Sequence, residues 1–372
     1  MRFVPVNGLM EGMYVGKSLF DKNNQLLLSK GSVIQKSYID RINKMGYQGI
    51  YVEDYISSDI EVKDVICDEL RRNTVNTIKN VFIEADNDKK NSNKTNNINE
   101  TKYLVANIVE QILENRDTIV NLIDLKMFDD YTFYHSVNVA VLSIVLGTSI
   151  GLNKEKLYNL GLGAILHDIG KMFIDSEILN KNGKLTEEEY NHIQKHSEYG
   201  YNYLRETFEI PLSSYIGVLQ HHEKYDGTGY PSNKSKHDIS LFGRIIGIAD
   251  VYDALTSTRP YRKALLPSEA IEYIMANGSI MFDVNLIQNF VKKVAPFPVG
   301  TCVELSNRYK GIVVKNFEEA CCRPKIKIVL DDNNNQVDSF YYNLKDQKEL
   351  RNVTITSISD LTVDVKGKCI TN

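Results

Sequence analysis

The sequence predicts a mainly α protein, in which a long helical segment is flanked by a small N-terminal α+β unit and a small C-terminal β-barrel-like unit. Three observations predict this. Between about residues 60 and 296, apolar residues recur at helical spacing and capping signals divide them. Before residue 57, and again after Pro296-Phe297-Pro298, short β-like runs are separated by turn residues. The 372 residues, 42% of them hydrophobic, are enough to bury at least one substantial core. The expected divisions are 1–57, 60–296 and 299–372.

In chain order, Met13 to Phe20, Gln25 to Leu28 and Gly49 to Val52 read as strands, and Gln35 to Lys44 as a helix. Asp21-Lys22-Asn23-Asn24 reads as the hairpin turn joining the first two strands. Glu84 to Thr101 is rich in Asn, Lys and Asp and poor in apolar residues, so it is expected to be a flexible loop between two helices. Val137 to Ile150 is the longest apolar tract. It falls short of the roughly 20 residues of a membrane helix and is interrupted by Asn138, which makes it a buried core helix. Thr186 with Glu189 forms a capping box ahead of a helix from Tyr190 to Leu204. Pro211 suits the first turn of the next helix, and Gly151 and Gly278 stand where helices stop. Five β runs follow, at 301–305, 311–314, 325–330, 337–342 and 353–358, with Asn333-Asn334-Asn335 as a hairpin turn.

A formal charge of −4 gives no basic field for wrapping nucleic acid. The five cysteines are scattered, with no CxxC pair, and fit a reducing compartment. The N-terminal residues lack the features of a secretion signal. A cytoplasmic location without membrane insertion is therefore expected.

Five of the seven histidines stand among acidic and glycine-rich signals. His135 lies on a helix that is otherwise almost wholly apolar, where a buried imidazole requires partners. His167 and Asp168 adjoin the end of the run Leu160 to Leu166, and Lys171 follows one turn later. His196 belongs to the capped helix, and His221-His222-Glu223 closes the helix that begins near Pro211. Asp250 sits among apolar neighbours in Ile245 to Val251. Taken singly, His135 or His196 reads as a hydrogen-bonded core residue. The adjacent pairs are harder to bury without a ligand, and together the set points to metal. A donor set dominated by imidazole suits first-row ions better than Mg or Ca, with iron or manganese favoured.

The run His221-His222-Glu223-Lys224-Tyr225-Asp226-Gly227-Thr228-Gly229-Tyr230-Pro231 resembles the HHExxDGxGYP motif that defines HD-GYP phosphodiesterases. It is joined by His135-Ser136-Val137-Asn138, Leu166-His167-Asp168-Ile169-Gly170-Lys171, His196, Asp250-Val251-Tyr252-Asp253 and Arg259-Pro260-Tyr261-Arg262, and the resemblance covers about residues 100 to 295. It implies an HD-type helical bundle that hydrolyses cyclic di-GMP to pGpG at two divalent metal ions, through a metal-activated bridging hydroxide. The implied metal ligands are His135, His167, Asp168, His196, His221, His222 and Asp250, with Asp168 bridging. Substrate contacts fall on Lys171, Gly229, Tyr230, Pro231, Arg259 and Arg262. One departure bears on the metal count. Family members with three metals have a glutamate four residues before the first histidine ligand, where this chain has Tyr131, and Asp129 and Asp130 are off that register. Two metals are expected, with pGpG rather than GMP as the main product. Besides cyclic di-GMP, the expected partners are a second copy of the chain and signalling proteins such as a diguanylate cyclase. The alternatives are an HD phosphohydrolase for another cyclic dinucleotide and a non-catalytic binding module.

Overall fold

The structure, a computed structural model, describes residues 1–21, 25–88, 97–121, 131–181, 183–207, 209–257, 264–359, 361–363 and 369–370. The chain opens with strand β1 (Arg2–Pro5), followed by β2 (Tyr14–Val15), β3 (Leu19–Phe20), β4 (Leu26–Leu28), helix α1 (Lys36–Lys44) and β5 (Gly49–Glu53). Antiparallel pairing gives a sheet of order β1-β5-β2, and β3 pairs with β4 as the hairpin reading requires. Residues 22–24 of that turn lie outside the described residues, and β1 has no counterpart among the expected strands.

Among the described residues eleven helices follow: α2 (Asp68–Asp88), α3 (Asn97–Glu114), α4 (Tyr131–Ser149), α5 (Lys154–Ile165), α6 (Ser176–Leu179), α7 (Glu187–Gln194), α8 (His196–Thr207), α9 (Leu212–Gln220), α10 (Leu241–Thr256), α11 (Pro267–Ala276) and α12 (Val284–Lys293). One core runs through them, from Val65 to Val294. At its centre, α4 packs against α5 and α10, and α9 lies on α5, α8 and α10. Val137, Leu142, Ile144 and Leu146 of α4 are wholly buried, each contributing roughly 1.5–3 kcal/mol through removal from water. No helix among the described residues is long and apolar enough to cross a membrane.

Two expectations are corrected here. The loop expected at 84–101 is helical over 84–88 and 97–101, and only 89–96 lies outside the described residues. Few apolar residues are present, but Ala85, Ile98 and Thr101 are buried between α2 and α3, and tertiary packing of this kind stabilises a helix that composition disfavours. The helix expected from Tyr190 to Leu204 is two helices. The capping box of Thr186 and Glu189 starts α7 as expected, but α7 ends at Gln194 and α8 begins at His196.

Strands β6 (Cys302–Leu305), β7 (Lys310–Lys315), β8 (Lys325–Leu330), β9 (Gln336–Asn343) and β10 (Ile355–Ile358) form an antiparallel sheet of order β10-β6-β7-β8-β9, and β11 (Thr362–Val363) pairs with β12 (Cys369–Ile370). Among the described residues the sheet is open, so the barrel-like closure does not form. Its faces are covered in other ways. Val303, Val313, Ile326 and Ile328 pack with Leu344 and Leu350. Cys302, Ile312, Val329 and Leu330 pack with Tyr51, Ile56, Ile60 and Val62 from the other end of the chain. The two flanking segments thus share a core. Buried Arg2 reinforces it by donating to Asp54 at 2.8 Å and to the Leu361 carbonyl at 2.7 Å.

Candidate metal centre

All seven candidate ligands converge where α4, α5, α8, α9 and α10 meet. His135 sits on α4 and Asp250 on α10, while His221 and His222 immediately follow α9. His167 and Asp168 are not helical as expected. They occupy the turn between the end of α5 and a 3-10 segment, Ile169–Phe173, that carries Lys171. Gly170 makes this turn possible, since a Cβ there would stand 1.8 Å from the His196 carbonyl and 2.5 Å from the Gly200 nitrogen. Only a glycine lets the turn press against the start of α8, and that contact brings His196 toward Asp168.

Three interlocking groups have ligand atoms within 4.8 Å of one another: His135, His167 and Asp250; His167, Asp168 and His221; and His196, His221 and His222. Asp168 stands between the two ends. Its Oδ2 lies 3.3 Å from His167 Nε2 and 3.8 Å from His135 Nε2, and its Oδ1 lies 3.6 Å from His196 Nε2. Asp250 Oδ1 is 3.1 Å from His135 Nε2, and its Oδ2 is 4.0 Å from His222 Nδ1. Five of the seven side chains are almost wholly buried, whereas the Asp250 side chain is 13% exposed and that of His222 26%.

Backbone carbonyls one turn upstream fix several of the rings. His167, His196 and His221 direct Nδ1 to the carbonyls of Ala164 (2.8 Å), Ile193 (2.7 Å) and Val218 (2.6 Å). With Nδ1–H donated there, Nε2 is left as a lone-pair donor facing the centre. His135 directs Nδ1 to Asp253 Oδ2 at 2.7 Å. Asn138 in turn donates to Asp253 Oδ1 at 2.9 Å, and Arg71 donates to Asn138 at 2.6 Å. Asp253 lies three residues after Asp250, one turn along the same helix, so its spacing on α10 could have identified it.

The electrostatics divide the cluster. Burial opposes charge on His135, but hydrogen bonds to Asp250 and Asp253 outweigh it and raise its pKa to about 9. Burial holds His196 down at about 4, and burial with the neighbouring His196 holds His222 at about 3. Burial, then the other imidazoles, lowers His221 as well. Burial alone would raise Asp168, but Lys171, whose Nζ lies 2.5 Å from Oδ2, and His167 keep it well below the usual carboxylate range. Asp250 is likewise lowered, its hydrogen bond to His135 overcoming burial. Neutral imidazoles and ionised carboxylates are the forms that ligate metal, so His135 would have to give up its proton to join the others.

The residues fit divalent metal ions on a direct observation: His167 Nε2 and Asp168 Oδ1 are buried at the centre with no hydrogen-bond partner. Leaving such atoms unpaired is costly, and a cation satisfies both at once.

The glycine-rich stretch 226–231 is a loop beside the histidines. Glu223 anchors it, accepting the backbone N–H groups of Ser232 (2.8 Å) and Lys234 (3.0 Å). Gly229 lies against this chain, where a Cβ would meet the Lys224 nitrogen at 2.2 Å. Tyr230, joined to Pro231 by a cis peptide bond, lays its ring over His222 with centroids 4.7 Å apart. Beside His221 and His222 opens a cleft of about 230 Å³, bordered by Tyr190, Tyr230, Lys224 and Arg244. Arg259, Arg262, Asp129 and Asp130 lie outside the described residues, as does the side chain of Tyr131.

A family model of the HD domain matches residues 107–286. Among curated proteins, the chain is 37% identical over 225 residues to cyclic di-GMP phosphodiesterase PA4108 of Pseudomonas aeruginosa, covering 60% of this chain and 54% of that protein. It is 34% identical over 205 residues to cyclic di-GMP phosphodiesterase PdeB of Borreliella burgdorferi, covering 55% and 54%. It is 41% identical over 164 residues to 3'3'-cGAMP-specific phosphodiesterase 1 of Vibrio cholerae, covering 44% and 37%. The chain therefore spans about half the length, or less, of these curated relatives. Among solved structures, Bd1817, an HDG"Y"P protein from Bdellovibrio bacteriovorus, superposes with a TM-score of 0.50 at 19% identity, covering 77% of this chain and 97% of that one, a likeness of fold. The HD-domain match over residues 107–286 spans the HHExxDGxGYP run and all the converging histidines and aspartates.

Proposed function

We propose that this protein is a metal-dependent phosphodiesterase that hydrolyses cyclic di-GMP to pGpG. The observation that carries the reading is the pair of unpartnered buried atoms, His167 Nε2 and Asp168 Oδ1, at the middle of seven converging ligands. Asp168, with His135, His167 and Asp250 on one side and His196, His221 and His222 on the other, would hold two ions, iron or manganese by donor type. Bound there, such ions supply positive charge to an attacked phosphodiester and acidity to the attacking water.

The chain's own residues do the rest. Lys171, 29% exposed beside Asp168, presents a cation to a phosphate oxygen. Tyr230 and Tyr190 border the cleft where a flat guanine can stack. Arg259 and Arg262 offset charge on the distal phosphate. The α4 helix begins at Tyr131 with no glutamate one turn before His135, which favours two metals and a linear product. The flanking segments 1–57 and 299–372 are accessory to the helical segment 60–296, and the core they share supports a stabilising role.

A related reading draws on the 41% identity to a cGAMP-specific enzyme: the substrate would be a mixed cyclic dinucleotide. Anaerobic purification, metal quantification and parallel conversion assays with cyclic di-GMP and 3'3'-cGAMP test both. Faster turnover of cyclic di-GMP to pGpG, abolished by His167→Ala with Asp168→Ala, is expected. If the double variant keeps both metal and activity, the mechanism is wrong.

A further inference from the structure

Away from the metal centre, the turn after β7 carries two adjacent thiols. A short 3-10 segment, Glu318–Ala320, leads into Cys321 and Cys322, and Arg323 follows. The turn is fastened on several sides. Glu318 pairs with Lys293 of α12, and Glu319 pairs with Lys345. Arg323 donates Nε to the Leu344 carbonyl at 2.6 Å and Nη2 to the Leu350 carbonyl at 2.9 Å. Held in this way, the two Sγ atoms lie 3.8 Å apart, with Cys322 exposed and Cys321 partly so.

We propose that Cys321 and Cys322 form an oxidisable vicinal dithiol, a covalent modification site that reacts with low-molecular-weight disulfides and closes to an intramolecular disulfide. The geometry supplies proximity, because the sulfurs need only move from 3.8 Å to about 2 Å. Reactivity is divided between them. The hydrogen bond between the two sulfurs holds the Cys321 thiol down, and the same bond, with burial, pushes Cys322 up. Cys321 is therefore the thiolate that attacks near neutral pH.

In the first step Cys321 attacks one sulfur of the small disulfide, whose S–S bond breaks, and the departing sulfur takes up a proton as a free thiol. In the second, Cys322 loses its proton to solvent and attacks the Cys321 sulfur, expelling the second small thiol. Two protein thiols lose two electrons in total, and one small disulfide becomes two thiols. Adjacent Cα atoms are about 3.8 Å apart, tighter than the ~4.4 Å lower end for ordinary disulfides, so the ring reopens readily with reductant. Cys67 is an internal control. It is also exposed, and its Sγ accepts from Gln111 Nε2 at 3.5 Å without a neighbouring thiol.

The experiment treats the full chain with glutathione disulfide and maps each cysteine by mass spectrometry. In the wild type, the segment containing Cys321 and Cys322 is expected to lose two hydrogens, retain no adduct and recover with reductant. Cys322→Ser should trap glutathione on Cys321, and Cys321→Ser should react about tenfold more slowly at neutral pH. A stable glutathione adduct on the wild-type pair, a cross-link between two chains through either residue, or modification of Cys67 as fast as ring closure would each overturn the proposal.

Discussion

The seam between the flanking segments and the centre of the helical segment both bury charge, but they complete it differently. At the seam each charge meets its opposite. Lys327, 7% exposed, donates to Asp59 at 2.6 Å, and Tyr341 donates to the same carboxylate at 2.6 Å. Asp54 takes Arg2 on one oxygen and the Ser57 hydroxyl on the other. At the helical centre, five imidazoles crowd two carboxylates, with neighbouring rings only 4.0–5.4 Å apart, and buried acceptors stay unpaired. At the seam Arg2 Nη2 is also buried without a hydrogen-bond partner, but its guanidinium is already paired with Asp54, whereas at the centre two unpaired atoms stand among seven candidate ligands. Buried polarity signals a site where unpartnered atoms cluster among metal-ligating side chains, not where a single such atom stands alone.

The sharpest way to break that contrast is Asp168→Ala, which removes the carboxylate between the two groups of ligands. Bound metal measured by elemental analysis should fall by half or more, and turnover at least ~100-fold, several kcal/mol of lost stabilisation. Unchanged metal content would place the centre with the seam as a purely structural network. Asp253→Asn acts one step further out, on the carboxylate that orients His135. Weaker metal affinity by roughly 10- to 100-fold is expected in competition with a chelator, with the fold retained by circular dichroism.

Acid titration of the metal-free protein probes the imidazoles directly. In the unfolded chain histidine takes up a proton near pH 6.5, but folded His196 waits until about pH 4 and His222 until about pH 3. The unfolded state therefore binds more protons between those values, and stability falls as pH falls. Urea denaturation should show a loss of up to about 2 kcal/mol per histidine between about pH 6.5 and pH 5. His135 has the opposite sign. Its folded value of about 9 contributes stability that is complete below the unfolded value and is lost as pH rises through 9. Saturating metal should flatten the acid limb by occupying the same lone pairs. The smallest effect is expected at the seam. Lys327→Met should cost about 1 kcal/mol in urea melts and leave metal content untouched, and a change in metal content would show that the two regions are coupled.

Much of the centre is legible in the amino-acid sequence, because the donors come in types and pairs that a core does not otherwise hold. The HHExxDGxGYP run, the His167-Asp168 pair after Leu166, His196 on the capped helix and the apolar surroundings of His135 and Asp250 are enough to name all seven candidate ligands. Less legible is how each donor is held. His167 and Asp168 leave the helix because Gly170 permits a close approach to α8, a contact between segments about 30 residues apart. Asp253, Asn138 and Arg71 do not stand out in the sequence as a supporting chain, since only folding puts Arg71 of α2 beside α4 and α10. The loop reading of 84–101 fails at its two ends, 84–88 and 97–101, for a related reason: composition cannot register that Ala85 and Ile98 find a partner helix.

Local chemistry, then, was set by the sequence alone: which side chains can ligate, where helices begin through caps such as Thr186 with Glu189, and which stretches alternate as strands. Tertiary structure decided the rest. It chose which imidazole nitrogen faces inward, which carboxylate stands in the middle, that the terminal sheet stays open, and that the chain's two ends share one core. The physical reason is range. Capping and periodicity act over a few residues, whereas convergence and burial depend on contacts between segments far apart in the chain, which no local pattern encodes.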